Sequence, residues 1–161
     1  MFRQIIFGGA VGLVNISVHA MAMTFVIAAA RAAATRPLRF AVLRLIAVMI
    51  ATVAVLMVAH ICEVAIWAVS YGLVDAAPEG TDHLYFAFVN FTTLGYGDVV
   101  PVPRWRLLGP MTAMDGVLLF GWSTAVIFEV LSLTLERGYR KVDGAGLGHL
   151  AAQHQVRGGS R

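Results

Sequence analysis

The stretch FTTLGYGDVVP, residues 91–101, interrupts a chain that is otherwise strongly apolar. Two glycines, two threonines, a tyrosine and an aspartate stand here between long hydrophobic segments. What they do depends on where those segments lie.

The chain has 161 residues, of which 59% are hydrophobic and 13% charged, with a mean hydropathy of +0.79. A soluble domain carries about a quarter of its residues charged, so this composition indicates a membrane protein. The net charge is +3, and the arginines flank apolar segments instead of forming a basic stripe, which argues against a nucleic-acid partner. The single cysteine, Cys62, permits no intrachain disulfide and reads as a small core residue.

Three segments, about 5–30, 40–71 and 107–135, are long enough to cross a hydrocarbon layer, which takes about 20 helical residues. Inside a bilayer each must satisfy its own backbone polar groups, so all three are expected to be helices. Arg31, Arg36, Arg39 and Arg44 lie between the first two, and Arg137, Arg140 and Lys141 follow the third. These mark the cytoplasmic side, which leaves the N-terminus outside and the C-terminus inside a cell membrane. The intervening 72–106 then faces outward, in keeping with Asp75, Glu79, Asp82 and Asp98, though Arg104 and Arg106 are exceptions. A cleaved leader at the first segment would force those loop arginines across the membrane, so a retained helix fits better. The arginine spacing also lacks the regular step of a voltage-sensing helix. The glycine-rich, polar residues 142–161 are expected to be a disordered tail.

Within 72–106, Thr81-Asp82 is a plausible N-cap for a helix over His83 to Phe91, too short to span. It would enter the membrane and stop, with the negative end of its dipole favouring a cation. Non-helical backbone follows at once, and at membrane depth such backbone survives only when buried in protein or lining a watery cavity. A dehydrated monovalent cation needs several oxygen ligands, which carbonyls supply if they face one way. Glycines at alternate positions give the left-handed conformations this requires. The Thr93 hydroxyl could add oxygens at the inner end, and Tyr96 would act as an outward strut.

Thr93-Leu94-Gly95-Tyr96-Gly97-Asp98 closely resembles the TVGYGD selectivity filter of the potassium channel pore family, with Leu94 replacing valine. The resemblance covers about 40–135 and leaves the first helix and the tail outside. It implies an all-α integral membrane protein in which three transmembrane helices join a re-entrant pore helix and filter strand. The expected organisation is an N-terminal helix with cytoplasmic loop (1–39), a pore domain (40–136) and a tail (137–161). The resemblance implies K⁺ bound at Thr93, Leu94, Gly95, Tyr96 and Gly97, with Asp98, Tyr85, Phe86 and Thr92 supporting the filter. The aspartate is expected to hydrogen-bond back to the pore helix. Gly116-Val117-Leu118-Leu119-Phe120-Gly121 looks like the inner helix of the family, with Gly116 as hinge and Val117, Phe120, Gly121, Thr124 and Phe128 toward the cavity. One chain holds one filter strand, so a homotetramer with three further copies is implied. Membrane lipid and K⁺ are the other expected partners, no cofactor is implied, and a bacterial source is expected.

Several polar residues leave alternatives open. Asp115 could form a charge ring in the cavity, but it falls nearly opposite the stripe of Val117. It could instead face the pore helix or second span near Asn90 or Thr92. Glu129 could sit at a gate. His60 and Glu63 share a face of the second helix, as a packed hydrogen-bonded pair or as part of a metal or proton-relay site. An enzyme built on His60, Glu63 and His19 lacks a nucleophile set and leaves the GYG strand without a role. A nonselective cation channel and a silent pore-like subunit are the remaining alternatives.

Overall fold

The computed structural model describes the backbone of residues 1–34 and 41–158, and side chains over 1–33 and 42–135. Arg36, Arg39 and Phe40 lie outside the described residues, as do the side chains of Arg137, Arg140 and Lys141.

Among the described residues four α-helices carry the fold: α1 (Phe2–Ala34), α2 (Ala41–Leu73), α3 (His83–Phe91) and α4 (Leu108–Gly158). A single 3₁₀ turn, Pro103–Trp105, leads into α4, with proline at its start where a missing N–H costs nothing. The described residues form no strand, and three of the helices are long and apolar enough to cross a membrane. The chain is therefore an all-α membrane protein. The backbone of 142–158, expected to lack regular structure, instead continues α4. Extending a helix that already exists needs no new nucleus, and Leu147, Leu150, Ala151 and Ala152 are good helix formers among the glycines.

Helix α1 packs against both α4 and α2, while α3 is wedged between α2 and α4. On α4 the buried residues Thr112, Gly116, Leu119, Ser123, Val126 and Val130 recur at steps of three and four, which makes one seam. Two apolar clusters result. One joins Val11, Val64, Trp67, Tyr71, Phe86, Phe91 and Leu119 around α3. The other joins Met23, Val26, Leu56, Val126 and Val130 farther along the three long helices. Cys62, expected in the core, is exposed, because the buried face of α2 runs through Ala59, Glu63 and Trp67 and turns position 62 outward.

Polar contacts close one end of the bundle. The Leu107 N–H donates to Gln4 Oε1 at 2.9 Å, and the Val102 N–H to the Ala76 carbonyl at 2.9 Å. The start of α1, the end of α2 and the loop that follows α3 therefore lie together.

Candidate functional site

Helix α3 is set by its two ends. Asp82 caps the start, its Oδ1 accepting from the N–H groups of Leu84 (2.9 Å) and Tyr85 (3.2 Å). Phe86, Ala87, Val89 and Phe91 bury one side of the helix. At the other end the Leu94 N–H donates to Val89 O at 3.0 Å and the Thr93 N–H to Asn90 O at 3.0 Å. This paired closure places the residue after the cap in the left-handed region, where glycine is usual. Here that residue is Thr93, with φ 59°. Left-handed backbone at a β-branched residue costs about 1–3 kcal/mol.

Positive φ then returns at Gly95 (55°) and Gly97 (78°), whereas Leu94 and Tyr96 keep negative values. The hand of the backbone thus alternates over 93–97. The segment is exposed in the single chain, Leu94 at 52% and Tyr96 at 68% of full accessibility. From behind, the Tyr85 hydroxyl donates to Asp98 Oδ2 at 2.8 Å, the expected link between the aspartate and α3. The carboxylate acceptor holds the Tyr85 hydroxyl above its ordinary value, since loss of the proton would set two anions side by side. Phe86 is fully buried against the Tyr71 ring, 4.7 Å between centroids, and the Tyr71 hydroxyl bonds Thr112 Oγ1 at 2.6 Å. Thr92 donates its hydroxyl back to Phe88 O at 2.7 Å, which leaves Thr93 as the threonine that opens the irregular strand.

On α4, Val117, Phe120, Gly121, Thr124 and Phe128 all lie on the exposed face, opposite the buried seam. Gly116 lies in the seam. A β-carbon there would overlap the Phe91 carbonyl oxygen, so glycine lets α4 touch the last turn of α3. Glu129 is exposed on α4.

Asp115 is buried, away from the exposed face, and its neighbours are not Asn90 or Thr92. Its Oδ2 accepts from Asn15 Nδ2 and from Trp67 Nε1, both at 2.8 Å. The Trp67 contact is the expected approach to the second span; Asn15 is the unforeseen partner, because α1 also covers this face of α4 and its contacts could not be assigned from the sequence. The Asn15 amide also donates to the Glu63 carbonyl at 3.3 Å.

Farther along, the Glu63 carboxylate lies between two imidazoles, with His19 Nδ1 on Oε1 and His60 Nδ1 on Oε2, each at 2.8 Å. The Nε2 atoms of both rings turn to Ser123 Oγ, at 3.0 Å from His60 and 3.4 Å from His19. His60 also stacks near Phe120 (4.7 Å) and Phe91 (6.1 Å). The His60–Glu63 pair is thus packed and hydrogen-bonded, and His19 joins it. Ligand atoms of these three side chains lie within 4.8 Å of one another, the composition of a metal site. Both Nδ1 atoms are engaged by the carboxylate, and Glu63 and His19 are fully buried, so the three side chains satisfy one another within the protein. Sequence reasoning missed Ser123, Trp67 and the Asn15 contacts. The available signal was that Asn15 and His19 lie four apart, and His60, Glu63 and Trp67 share one helical face.

Residues 46–133 match a family model described as ion channel. A search of curated proteins and a search of solved structures found no match. The matched region covers more than half of the chain, from early α2 through α3 and the irregular GYG segment to the later part of α4, and leaves α1 outside. Its members are channels and not enzymes. The chain belongs to this ion channel family, the two-span potassium channel pore family, and carries one additional N-terminal helix.

Proposed function

We propose that the protein is a potassium-selective channel, a homotetramer whose four filter strands surround one axis. The observation that carries this reading is the alternation of positive φ at Thr93, Gly95 and Gly97, directly after the C-terminal end of α3. Alternating hand lets successive carbonyls face one side, and four such strands would replace the hydration shell of K⁺. Carbonyls of Thr93, Leu94, Gly95, Tyr96 and Gly97 bind the ion, and Thr93 adds its hydroxyl. Tyr85, Asp98, Phe86 and Thr92 keep the strand in shape. The exposed face of α4, with Val117, Phe120, Gly121 and Thr124, lines the cavity.

The pore domain is 40–136, the N-terminus lies outside and the C-terminus in the cytoplasm of a bacterial cell membrane. Opening bends α4 at Gly116. Because Gly116 touches the Phe91 carbonyl, such bending also moves the inner end of α3.

The test is the reversal potential of the purified protein in bilayers with K⁺ on one side and Na⁺ on the other. A value near the K⁺ equilibrium potential, lost on Gly95→Ala, is the expected result. A value near zero would replace this reading by a nonselective cation channel. Chemical cross-linking in membranes should give a ladder that ends at four chains.

A further inference from the structure

Glu63, His19, Ser123 and His60 form a closed ring of four hydrogen bonds: 2.8 Å from Glu63 to His19, 3.4 Å from His19 to Ser123, 3.0 Å from Ser123 to His60, and 2.8 Å from His60 back to Glu63. Each edge of such a ring needs one proton. An ionised carboxylate has none to give, a neutral imidazole has one, and a hydroxyl has one. Two neutral histidines, Ser123 and an ionised Glu63 therefore supply three protons for four edges, and one edge would set lone pair against lone pair. Addition of a single proton completes the ring. That proton fits equally on either imidazole beside an ionised Glu63, or on Glu63 between two neutral imidazoles of opposite tautomer. The three arrangements interconvert by shifts along the edges, and all have zero net charge. A further proton would put two on one edge.

We infer that this ring is a buried binding site for one proton, and that the pore senses its occupancy through His60. From α1 the ring is faced by His19 and Asn15, and from α2 by His60 and Glu63. From α4 it is faced by Ser123 and by Asp115, which is within electrostatic reach of Glu63 and His19 and shares Asn15 with the Glu63 carbonyl. From α3 it meets the Phe91 ring. Charge neutrality suits the location, between the two apolar clusters and deep in the spans, where a net charge is costly. The site is coupled to the pore by contact: His60 packs on Phe91, whose carbonyl meets Gly116, and on Phe120 of the exposed α4 face. Gain or loss of the proton breaks an edge of the ring and frees a joint between α1, α2 and α4.

The pore readout rests on the channel reading, but the proton site does not, so the two are tested separately. In the full chain carrying His83→Gln, His149→Gln and His154→Gln, only His19 and His60 report in nitrogen-15 NMR of the imidazoles in lipid bilayers. Near neutral pH the complete ring predicts either one imidazolium in the pair or two neutral rings of opposite tautomer. Two neutral rings both protonated at Nδ1, or two imidazoliums, would overturn the proton site. Ser123→Ala, a small change that keeps both Glu63 contacts, should open the ring and alter both Nε2 signals; unchanged signals would overturn it as well. In bilayer recordings, open probability should depend on pH in the parent chain, and Ser123→Ala should lose that dependence. A retained pH profile would overturn the coupling to the pore. Expected NMR signals with no current under any condition would count against the channel reading and leave the proton site standing.

Discussion

The carbonyl oxygen of Phe91, at the end of α3, rests directly on the α-carbon of Gly116 in α4, leaving no room for a methyl group between them. The residue that sequence resemblance offers as a hinge is thus also a contact through which α4 touches the last turn of α3. Gly121, five residues on, has open space where its β-carbon would be.

These two glycines should separate packing from bending. Gly116→Ala is expected to destabilise the fold by about 1–3 kcal/mol, the usual cost of overpacking, because the obstructing atom is backbone and cannot rotate away. Gly121→Ala should leave thermal stability unchanged or slightly raised, since alanine is the better helix former. Melting temperatures in detergent check both. A Gly116→Ala protein as stable as its parent would show that α4 and α3 do not meet as described.

Thr93 should show a conflict between stability and activity. Thr93→Gly relieves left-handed strain and should stabilise the chain by about 1 kcal/mol. The same change deletes the hydroxyl at the start of the strand and should lower K⁺ conductance. A loss of stability on this substitution would mean that the strand is not held in the left-handed form at this position.

The Tyr85–Asp98 link predicts an alkaline limit. Its hydrogen bond raises the Tyr85 hydroxyl above the unfolded tyrosine value of about 10, so the folded state holds this proton more tightly. The stabilisation is complete below that value and fades as pH rises through the raised one. K⁺ over Na⁺ selectivity should therefore deteriorate above about pH 10. Asp98→Asn should move the ultraviolet titration of Tyr85 to lower pH, and a titration identical to the parent would exclude the link.

Asp115 provides a test of where the cavity is. Buried between Asn15 and Trp67, it should have little influence on permeating ions. Asp115→Asn should leave single-channel conductance and block by internal Mg²⁺ unchanged. Trp67→Phe, which removes one donor to the same oxygen, should cost stability by roughly 1–3 kcal/mol without altering selectivity. A marked drop in conductance with Asp115→Asn would place this carboxylate in the ion path.

The parts of this architecture that could be read from sequence were those specified locally. Asp82 caps α3 because an aspartate stands directly before a short apolar run, and Gly95 and Gly97 adopt positive φ because no side chain prevents it. The lengths of the three spans follow from apolar run length alone. The contacts of α1 were not legible. His19 lies 44 positions from Glu63, and Ser123 lies 63 from His60. A membrane helix also packs without a hydrophobic driving force between helices, so its lipid-facing and buried sides are equally apolar and no periodic pattern marks the seam. The exposure of Cys62 and the bond from Asn15 to Asp115 escape the sequence for this one reason. The trace in the sequence was Asn15 and His19 four apart on the first helix and His60, Glu63 and Trp67 on one face of the second, whose pairing only the three-dimensional arrangement supplies.

The attachment of α1 has a consequence for how the chain is made. Its Asn15 and His19 pair with the carboxylates of Asp115 and Glu63, acids that are costly inside a membrane unless paired. The ribosome delivers α1 first, so these partners are already in the bilayer when α2, and later α4, emerge with their carboxylates. A version of the protein trimmed to residues 40–136 would leave Asp115 with Trp67 and Glu63 with His60, each short of the partner that α1 supplies. The additional helix thus completes the hydrogen bonding of acids carried by the helices that follow it in the same chain.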